Sequence, residues 1–328
     1  MSAAVEMREV APDEEGLRLD KWFRRHYPRL PRSRLEKLLR SGQIRLEGKR
    51  VKAATTLAAG QRLRVPPILE APRPVEKAPQ IAAADRAMLE AALLYRDDWL
   101  IALDKPPGLA VQGGSRQQRH LDAMLPALAE GGEAPRLVHR LDRDTSGVLL
   151  LASTREAARR LSAVFKSDKP RKIYWALVVG GPEKRRGEIN LPLAKSGPAG
   201  GEKVMVDEAG KPARTRYAVL GRAHGVTWLG LRPMTGRTHQ LRVHCLAKGW
   251  PIVGDGKYGG RQAFPERLAL PGKLMLHARE IALPHPSDET TFRAVAPPPE
   301  HMLAAFEALG FDPADGKAAA AASWLEEA

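Results

Sequence analysis

Two aspartates lie in a short segment that is rich in arginine. In residues 136–152, RLVHRLDRDTSGVLLLA, Asp142 and Asp144 stand beside Arg140 and Arg143, just before an apolar run. Nearby cations favour the ionised form of a carboxyl group, so such an aspartate acts at neutral pH as a nucleophile or a base and not as an acid. The same pattern is also typical of an ion-paired structural loop, and the residues alone leave both interpretations open.

The elements that must position these aspartates predict an α+β domain. The apolar run at residues 148–151 is typical of a buried strand, and residues 153–156 (STRE) fit a capping box that begins a helix. Apolar patterns predict further strands at residues 99–103, 109–112, 173–179, 215–220, 227–232, 241–246 and 273–283. We expect a mixed, mostly antiparallel sheet with helices packed on it.

A small basic module precedes this domain. Residues 17–65 predict two short amphipathic helices, a hairpin that turns at Glu47-Gly48, and a strand at residues 61–65. Ser33 and Glu36 fit a capping box for the second helix. The exposed basic residues of that helix are Arg34, Lys37 and Arg40. A basic helix face of this kind is either merely solvated or contacts RNA.

The spacing of prolines marks a boundary after this module. Prolines at positions 66, 67, 72, 74 and 79 predict an extended, semi-rigid spacer. We therefore predict domains at residues 15–66 and 87–310, joined by a linker at residues 67–86. The remaining residues 311–328 form a C-terminal extension, whose alanine-rich end is predicted to be a peripheral helix or disordered.

Charge and composition favour a polyanionic partner. The chain of 328 residues has a formal net charge of +15, and because Lys and Arg neutralise phosphates, nucleic acid is the first candidate. The one cysteine, Cys245, excludes an internal disulfide. No apolar run approaches the roughly 20 residues of a membrane span, and residues 1–8 lack a signal-peptide core, so we expect a soluble, cytoplasmic protein without membrane association.

Three generic site patterns are set aside. Residues 254–259 spell G-x-G-x-x-G, but Gly260 and Pro265 do not favour the amphipathic helix that nucleotide binding requires, so we predict a glycine-rich loop. His239 and His244 have no cysteine pair nearby, which argues against zinc. His244 and Cys245 fall in a predicted strand, where neighbours face opposite sides, so they are not expected to form a nucleophile pair.

The aspartate segment belongs to a series of motifs. Its core, HRLDRDTSG (residues 139–147), resembles the signature loop of the RluA/RluC/RluD family of ribosomal RNA pseudouridine synthases. Further motifs follow in the family's order and approximate spacing: DKPPGLAVQGG (104–114), KIYWALV (172–178), MTGRTHQLRVH (234–244), GDGKYGG (254–260) and LMLHA (274–278). The resemblance covers about residues 17–307, and the front module resembles an S4-type RNA-binding domain. Arg143, Ser146 and the glycine pair at residues 113–114 favour the RluC type, which modifies large-subunit RNA, over the RluD type.

The resemblance implies roles for individual residues. Asp142 matches the essential aspartate, whose carboxylate attacks the nucleotide while the glycosidic bond is broken and the uracil turns to rejoin the ribose through carbon. Tyr174 matches the tyrosine that packs on the target base and helps to remove the final proton. Arg242 matches the arginine paired with the catalytic aspartate, and Leu276 matches the apolar wall of the uracil pocket. This isomerisation requires neither a cofactor nor a metal.

Other residues are expected to bind RNA. Because a stacked base cannot be reached, it must be flipped out. Arg140 matches the arginine that fills the vacated place, and its planar guanidinium suits stacking. Arg237 and His239 are interpreted as RNA-backbone or structural residues, whereas Arg143 and Asp144 are left out of the catalytic set.

We therefore expect a pseudouridine synthase that acts on specific uridines of large-subunit (23S) ribosomal RNA. The RNA would be free or in assembly intermediates, and the protein a monomer. Alternatives are an RluD-type or tRNA-directed synthase, a non-catalytic rRNA-binding assembly protein on the same fold, and, more distantly, a dinucleotide-dependent RNA-modifying enzyme. Intact Asp142, Tyr174 and Arg242 argue against the non-catalytic protein.

Overall fold

The chain divides into two compact units, Met1–Ala78 and Pro79–Ala328, each of which is treated by itself. The computed structural model describes residues 5–28, 30–67, 81–113, 119–129, 132–197, 203–266, 268–315 and 324–325. Most of the predicted proline-rich linker and most of the alanine-rich end lie outside these ranges. In the described part of the chain, no helix is long and apolar enough to cross a membrane.

The first unit packs two helices on a small sheet. Its elements are β1 (Glu6–Glu9), α1 (Leu19–His26), α2 (Arg32–Arg40), β2 (Arg45–Leu46), β3 (Lys49–Arg50) and β4 (Arg62–Val65), with strand order β1-β4-β2-β3. Leu19, Trp22 and Phe23 bury the apolar stripe of α1. Glu47 and Gly48 both have positive φ (49° and 73°), as the predicted two-residue hairpin turn requires.

Two expectations about this unit are wrong. The strand β1 was not expected, because its sequence EMRE is largely exposed and lacks apolar alternation, and it extends the ordered unit to before residue 15. The Ser33–Glu36 capping box does not form either. Pro31 is the N-cap residue and α2 begins at Arg32, so Ser33 lies inside the helix, and Glu36 pairs with Arg32 at 3.2 Å instead.

The second unit is built on one large sheet. Its strands are β5 (Leu93–Arg96), β6 (Leu100–Lys105), β7 (Arg136–Leu137), β8 (Ser146–Ala152), β9 (Arg171–Val179), β10 (Arg186–Asn190), β11 (Leu193–Ser196), β12 (Lys203–Val206), β13 (Arg214–Ala223), β14 (Val226–Pro233), β15 (Leu276–Pro284) and β16 (Thr291–Val295). Its helices are α3 (Ala83–Ala91), α4 (Leu121–Met124), α5 (Arg155–Val164), α6 (Gln240–Ala247) and α7 (Glu300–Leu309). In the described residues the strand order is β10-β13-β14-β9-β15-β8-β6-β5, while β7 pairs with β8, β16 pairs with β15, and β11–β12 form a separate hairpin.

The sheet is mixed and mostly antiparallel, as predicted. The parallel pairing joins β15 to β8 through only two registered pairs, His277 with Ser146 and Ala278 with Gly147. A Cβ atom at Gly147 would lie 2.2 Å from the carbonyl oxygen of Ala278, and Gly147 has φ +107°, so this close approach requires glycine. We call this narrow parallel junction the seam.

Six of the eight strands predicted for this unit are present, as β6, β8, β9, β13, β14 and β15, and the other two predictions were wrong. Residues 241–246 lie in the helix α6 rather than in a strand. Residues 109–112 contribute only an isolated bridge at Ala110. The helix after β8 was predicted correctly, but its cap is Thr154, whose hydroxyl accepts the N–H of Ala157 at 3.1 Å. Glu156 pairs with Arg159 and does not reach back to the cap.

Trp324 and Leu325, near the C-terminus, pack against the sheet. Leu325 is fully buried beside Ile173 and Ala218, and its carbonyl accepts a hydrogen bond from Nη1 of Arg232 at 2.8 Å. Gly230 makes room for it, because a Cβ there would lie 2.8 Å from Cδ1 of Leu325. Leu325 therefore contributes to the core of the second unit.

We expect Leu325→Ala to lower the free energy of unfolding by about 2 kcal/mol, because it removes a fully buried apolar side chain. Leu303→Ala is the matched control, since Leu303 is 44% exposed on α7 and should change stability by less than about 0.5 kcal/mol. Urea denaturation measures both variants. Equal stability of the two would mean that the C-terminal contact adds nothing in solution.

Candidate active site

Asp142 lies in the loop between β7 and β8, which we call the Asp142 loop (residues 138–145). The loop is tied to β8 by His139, whose Nε2 accepts the backbone N–H of Leu150 at 2.8 Å. The imidazole also stacks on Phe165, with ring centroids 4.6 Å apart. Burial lowers the pKa of His139 to about 3, helped by the charge of Lys172, so the ring is neutral and can act as an acceptor.

A buried lysine fixes the other side of the Asp142 loop. The Nζ of Lys105 donates to the carbonyl oxygens of Pro106, Leu109 and Arg143 at 2.8, 3.0 and 3.0 Å. Burial lowers the pKa of Lys105 to about 7, against the charges of Asp144, Asp142 and Asp104. The carbonyl of Arg143 also accepts the N–H of Gly108 at 2.9 Å. These bonds hold the backbone directly after Asp142.

The Asp142 loop lines a cavity of about 500 Å³. This volume lies within the range of about 300–1,000 Å³ that is typical of small-molecule sites. The cavity brings together all the candidate residues that the sequence assigned to this unit, namely Asp142, Tyr174, Arg242, Arg140, Leu276, Arg237 and His239. Arg34, Lys37 and Arg40 lie on α2 of the first unit.

Arg242 is paired differently from the expectation. Its Nε and Nη2 donate to Asp255 at 2.8 and 2.6 Å, and both side chains are almost completely buried. Among the described residues, no ion pair joins Arg242 to Asp142. The predicted direct pairing with the catalytic aspartate is therefore wrong for this structure, and Arg242 acts on Asp142 only through its nearby charge. The role of Asp255 as the partner of Arg242 was not predicted, because residues 254–259 were interpreted only as a glycine-rich loop.

His239 lies beside Asp142. Its Nε2 lies 3.7 Å from Oδ2 of Asp142, and its Nδ1 lies 2.6 Å from the hydroxyl oxygen of Tyr258. Burial lowers the pKa of His239, although the charge of Asp142 opposes the effect. The imidazole is therefore neutral at physiological pH, and the contact with Asp142 is not an ion pair there.

Tyr174 and Leu276 supply an apolar part of the cavity lining. Tyr174 lies on β9, beside Ala278 of β15, and Leu276 is at the start of that same strand. Burial raises the pKa of Tyr174, and the negative charge of Asp142 raises it further. The phenol therefore stays neutral, so it can pack on a planar base but is a poor proton acceptor.

The remaining candidates lie towards the surface. Arg140 is exposed and lines the cavity. The Nε of Arg237 donates to the carbonyl of Pro212 at 3.1 Å, which gives it a structural contact. Arg143 and Asp144 pair with each other at 2.9 Å and line a different cavity, consistent with leaving them out of the catalytic set.

Neither a metal nor a dinucleotide site is found in the described ranges. No group of three His, Cys, Asp or Glu side chains there could hold a metal ion. The segment 254–259 turns into a short 3-10 helix at Gly260–Ala263, which lacks the long helix of a dinucleotide fingerprint. His244 and Cys245 lie on α6, where His244 bonds Thr215 and the Leu191 carbonyl, and burial raises the pKa of Cys245 to about 12. That thiol is inert.

The site thus combines one carboxylate, a neutral imidazole, a flat apolar wall and cations at its edge. A family model described as RNA pseudouridylate synthase matches residues 99–247. The protein named ribosomal large subunit pseudouridine synthase C from Vibrio parahaemolyticus is 37% identical over 295 residues, covering 89% of this chain and 93% of the relative. The Escherichia coli K12 protein of the same name is 36% identical over 312 residues, covering 93% and 97%.

A solved structure agrees with this assignment. Human RNA pseudouridylate synthase domain containing 4 is 27% identical and has a TM-score of 0.60, with 71% of this chain and 99% of that chain covered. The chain belongs to the RNA pseudouridylate synthase family, and the resemblance inferred from its motifs is confirmed.

The buried histidines predict an acid sensitivity. Burial lowers the pKa of His139 to about 3 and that of His277 to about 4. The unfolded chain, with a histidine pKa of about 6.5, therefore binds more protons between pH 6.5 and 4, so the free energy of unfolding falls as the pH falls through this window. We expect His139→Gln to reduce that slope by about 1 kcal/mol per pH unit.

Urea denaturation at pH 6.5, 5.5 and 4.5 measures the slope. His224→Asn is the control, because His224 is exposed in a turn with φ 49°, which asparagine tolerates. An unchanged slope in His139→Gln would show that this imidazole is not held neutral by the fold.

Proposed function

We propose that this protein converts specific uridines of large-subunit (23S) ribosomal RNA to pseudouridine, with Asp142 as the nucleophile. The observation that carries the proposal is the position of Asp142, which lines the same cavity as Tyr174 and Leu276. The relatives named above are large-subunit pseudouridine synthases of type C, which supports ribosomal RNA as the substrate.

The proposed reaction balances without an external reagent. The carboxylate of Asp142 attacks C1′ as the N1–C1′ bond breaks, the uracil turns within the cavity, and its C5 bonds to C1′ as the bond between C1′ and the carboxylate breaks. C5 then loses its proton and N1 gains one, so the product is an isomer of the substrate. No electron or group is left over, and the reaction therefore needs no redox cofactor.

The side chains around Asp142 fit these steps. Uracil is flat, and Tyr174 with Leu276 offers an apolar wall on which it can pack. The raised pKa of Tyr174 favours this packing role over removal of the final proton. The target base must leave its stack, which costs a few kcal/mol. The exposed guanidinium of Arg140 is suited to fill the gap that the flipped base leaves. Arg237 and His239 line the same cavity, and Arg237 is suited to hold the RNA backbone.

We further propose that the first unit is an RNA-binding domain of the S4 type. Its two helices accompany a small four-stranded sheet, and α2 exposes Arg34, Lys37 and Arg40. Guanidinium and ammonium groups on one helix face suit contacts to phosphates, which add affinity without chemistry.

Asp142→Asn keeps the size of the side chain but removes its charge. We expect RNA binding to persist while turnover falls to background, because an interaction made only during the reaction is lost. The measurement is pseudouridine formation on large-subunit RNA, alongside a filter-binding affinity. Asp144→Asn is the matched control, since Asp144 pairs with Arg143 in the same loop and should retain turnover. Turnover of Asp142→Asn within about tenfold of wild type would contradict the assignment.

The substrate is tested in cells. We expect loss of this protein to remove pseudouridines from large-subunit RNA near the peptidyl-transferase region, which mapping at nucleotide resolution would detect. Loss confined to the helix that touches the small subunit would assign the protein to the RluD type, and loss only in a tRNA anticodon stem would assign it to a tRNA-directed type. No loss at any site, with RNA binding intact, would favour the non-catalytic assembly protein.

The basic face of α2 gives a separate expectation. Arg34→Gln with Arg40→Gln should weaken RNA binding and reduce the slope of log affinity against log salt by about 1 to 2, because phosphate contacts set that slope. The matched control is Arg18→Gln with Arg25→Gln, which removes the same charge from guanidiniums already paired with Asp20 and Asp13. Equal slopes for the two double variants would mean that the basic face of α2 is only solvated.

A further inference from the structure

The hydroxyl of Tyr258 connects segments that are far apart in the sequence. It accepts the backbone N–H of Val204, on β12, at 3.2 Å, and it lies 2.6 Å from Nδ1 of His239, at the start of α6. Nε2 of His239 lies 3.7 Å from Oδ2 of Asp142. A chain of polar groups therefore runs from a backbone amide through a phenol and an imidazole to the catalytic carboxylate.

The direction of the protons in this chain follows from hydrogen-bond accounting. If Nδ1 of His239 carried the proton, the hydroxyl of Tyr258 would have two donors pointing at it, and its own proton would have no acceptor among the described residues. The lone pair of Nε2 would also face the negative oxygen of Asp142. If Tyr258 donates instead, both conflicts disappear, because its proton meets Nδ1 and the N–H of Nε2 points at the carboxylate.

We propose that Tyr258 is a positioning residue for the reaction: it selects the tautomer of His239 whose Nε2–H faces Asp142, and so holds the carboxylate in the orientation for attack. The inference rests on the proposed function of Asp142. On this proposal, His239 positions the carboxylate of Asp142 rather than binding the RNA backbone.

The backbone at His239 supports a functional reason for this arrangement. His239 has φ 53° and ψ 20°, in the left-handed region, although it is not a glycine. This conformation costs a non-glycine residue about 1 kcal/mol and persists where surrounding contacts fix it. Here the side chain of Gln240 fixes the turn by accepting the N–H of Arg237 at 3.1 Å. The left-handed turn, together with the Tyr258 contact, sets the imidazole next to Asp142.

Tyr258 itself does not line the cavity that contains Asp142, as far as the described residues define it. Its ring packs under the guanidinium of Arg242, 4.9 Å from the centroid, while its hydroxyl points to His239. Loss of the hydroxyl should therefore leave the binding surface intact and slow the chemical step, which separates this role from RNA binding.

The first test is Tyr258→Phe, which removes the hydroxyl and keeps the ring. We expect kcat for pseudouridine formation to fall roughly tenfold while KM changes by less than about twofold, because the lost interaction acts on the nucleophile and not on RNA binding. Tyr95→Phe is the matched control. It also removes a phenol hydrogen bond, from Tyr95 to Asp97 at 2.8 Å on β5, and it should keep the wild-type kcat.

The second test is a double-mutant cycle with His239→Asn, since asparagine tolerates the left-handed conformation. If Tyr258 acts only through the imidazole, adding Tyr258→Phe to His239→Asn should lower kcat no further. Losses that multiply, or a kcat of Tyr258→Phe equal to that of wild type, would overturn the proposal. If Tyr258→Phe does not fold, as judged by thermal unfolding, His239→Asn alone decides: a kcat within about twofold of wild type would overturn it.

The two proposals fail in different ways. A wild-type protein that forms no pseudouridine, or an active Asp142→Asn, would overturn the proposed function. An active wild type with an inactive Asp142→Asn, combined with wild-type kcat in both Tyr258→Phe and His239→Asn, would overturn only the role of Tyr258.

Discussion

The buried ion pair between Arg242 and Asp255 is the interaction on which the geometry of the site depends. Two parallel hydrogen bonds of 2.8 and 2.6 Å join helix α6 to the glycine-rich loop after it. Asp255 also accepts the N–H of Tyr258 at 3.2 Å, so one carboxylate orients both the helix and the tyrosine. Removing one partner of a buried pair leaves an uncompensated charge, which typically costs about 3–5 kcal/mol. The orientation of His239 towards Asp142 follows from this anchoring.

The Asp142 loop could be predicted from the sequence, whereas the helix α6, which lines the same cavity, could not. In LRVHCL, residues 241–246, apolar and polar side chains alternate, which is the pattern of a half-buried strand. The segment nevertheless forms α6, in which residues from Gln240 to Cys245 are all buried. Burial on every side removes the amphipathic period of a surface helix, so periodicity gives no correct signal here and tertiary packing decides the structure.

The partners of the site residues escaped prediction for a different reason. Lys105 holds the carbonyl of Arg143 across 38 positions, and Asp255 pairs with Arg242 across 13, so no local spacing marks either contact. One signal was available for Lys105. Lys105 is the charged residue that ends the largely buried strand β6, and it is 1% exposed. A buried ammonium group must find hydrogen-bond acceptors. By contrast, the sequence motifs identified seven residues that line one cavity, namely Asp142, Tyr174, Arg140, Arg237, Leu276, His239 and Arg242.

The seam between β8 and β15 divides the large sheet into two parts that are each continuous in the chain. Strands β5–β8, within residues 93–152, supply Asp142, while β9–β16 and α6, within residues 171–295, supply Tyr174, His239, Arg242 and Leu276. The junction contacts link Ser146 and His277, which are 131 positions apart. Contacts of such high sequence separation form late, because closing the long intervening loop carries an entropic cost before they can stabilise the fold. Asp142 therefore lines one cavity with Tyr174, His239, Arg242 and Leu276 only when the two parts of the sheet are paired across the seam.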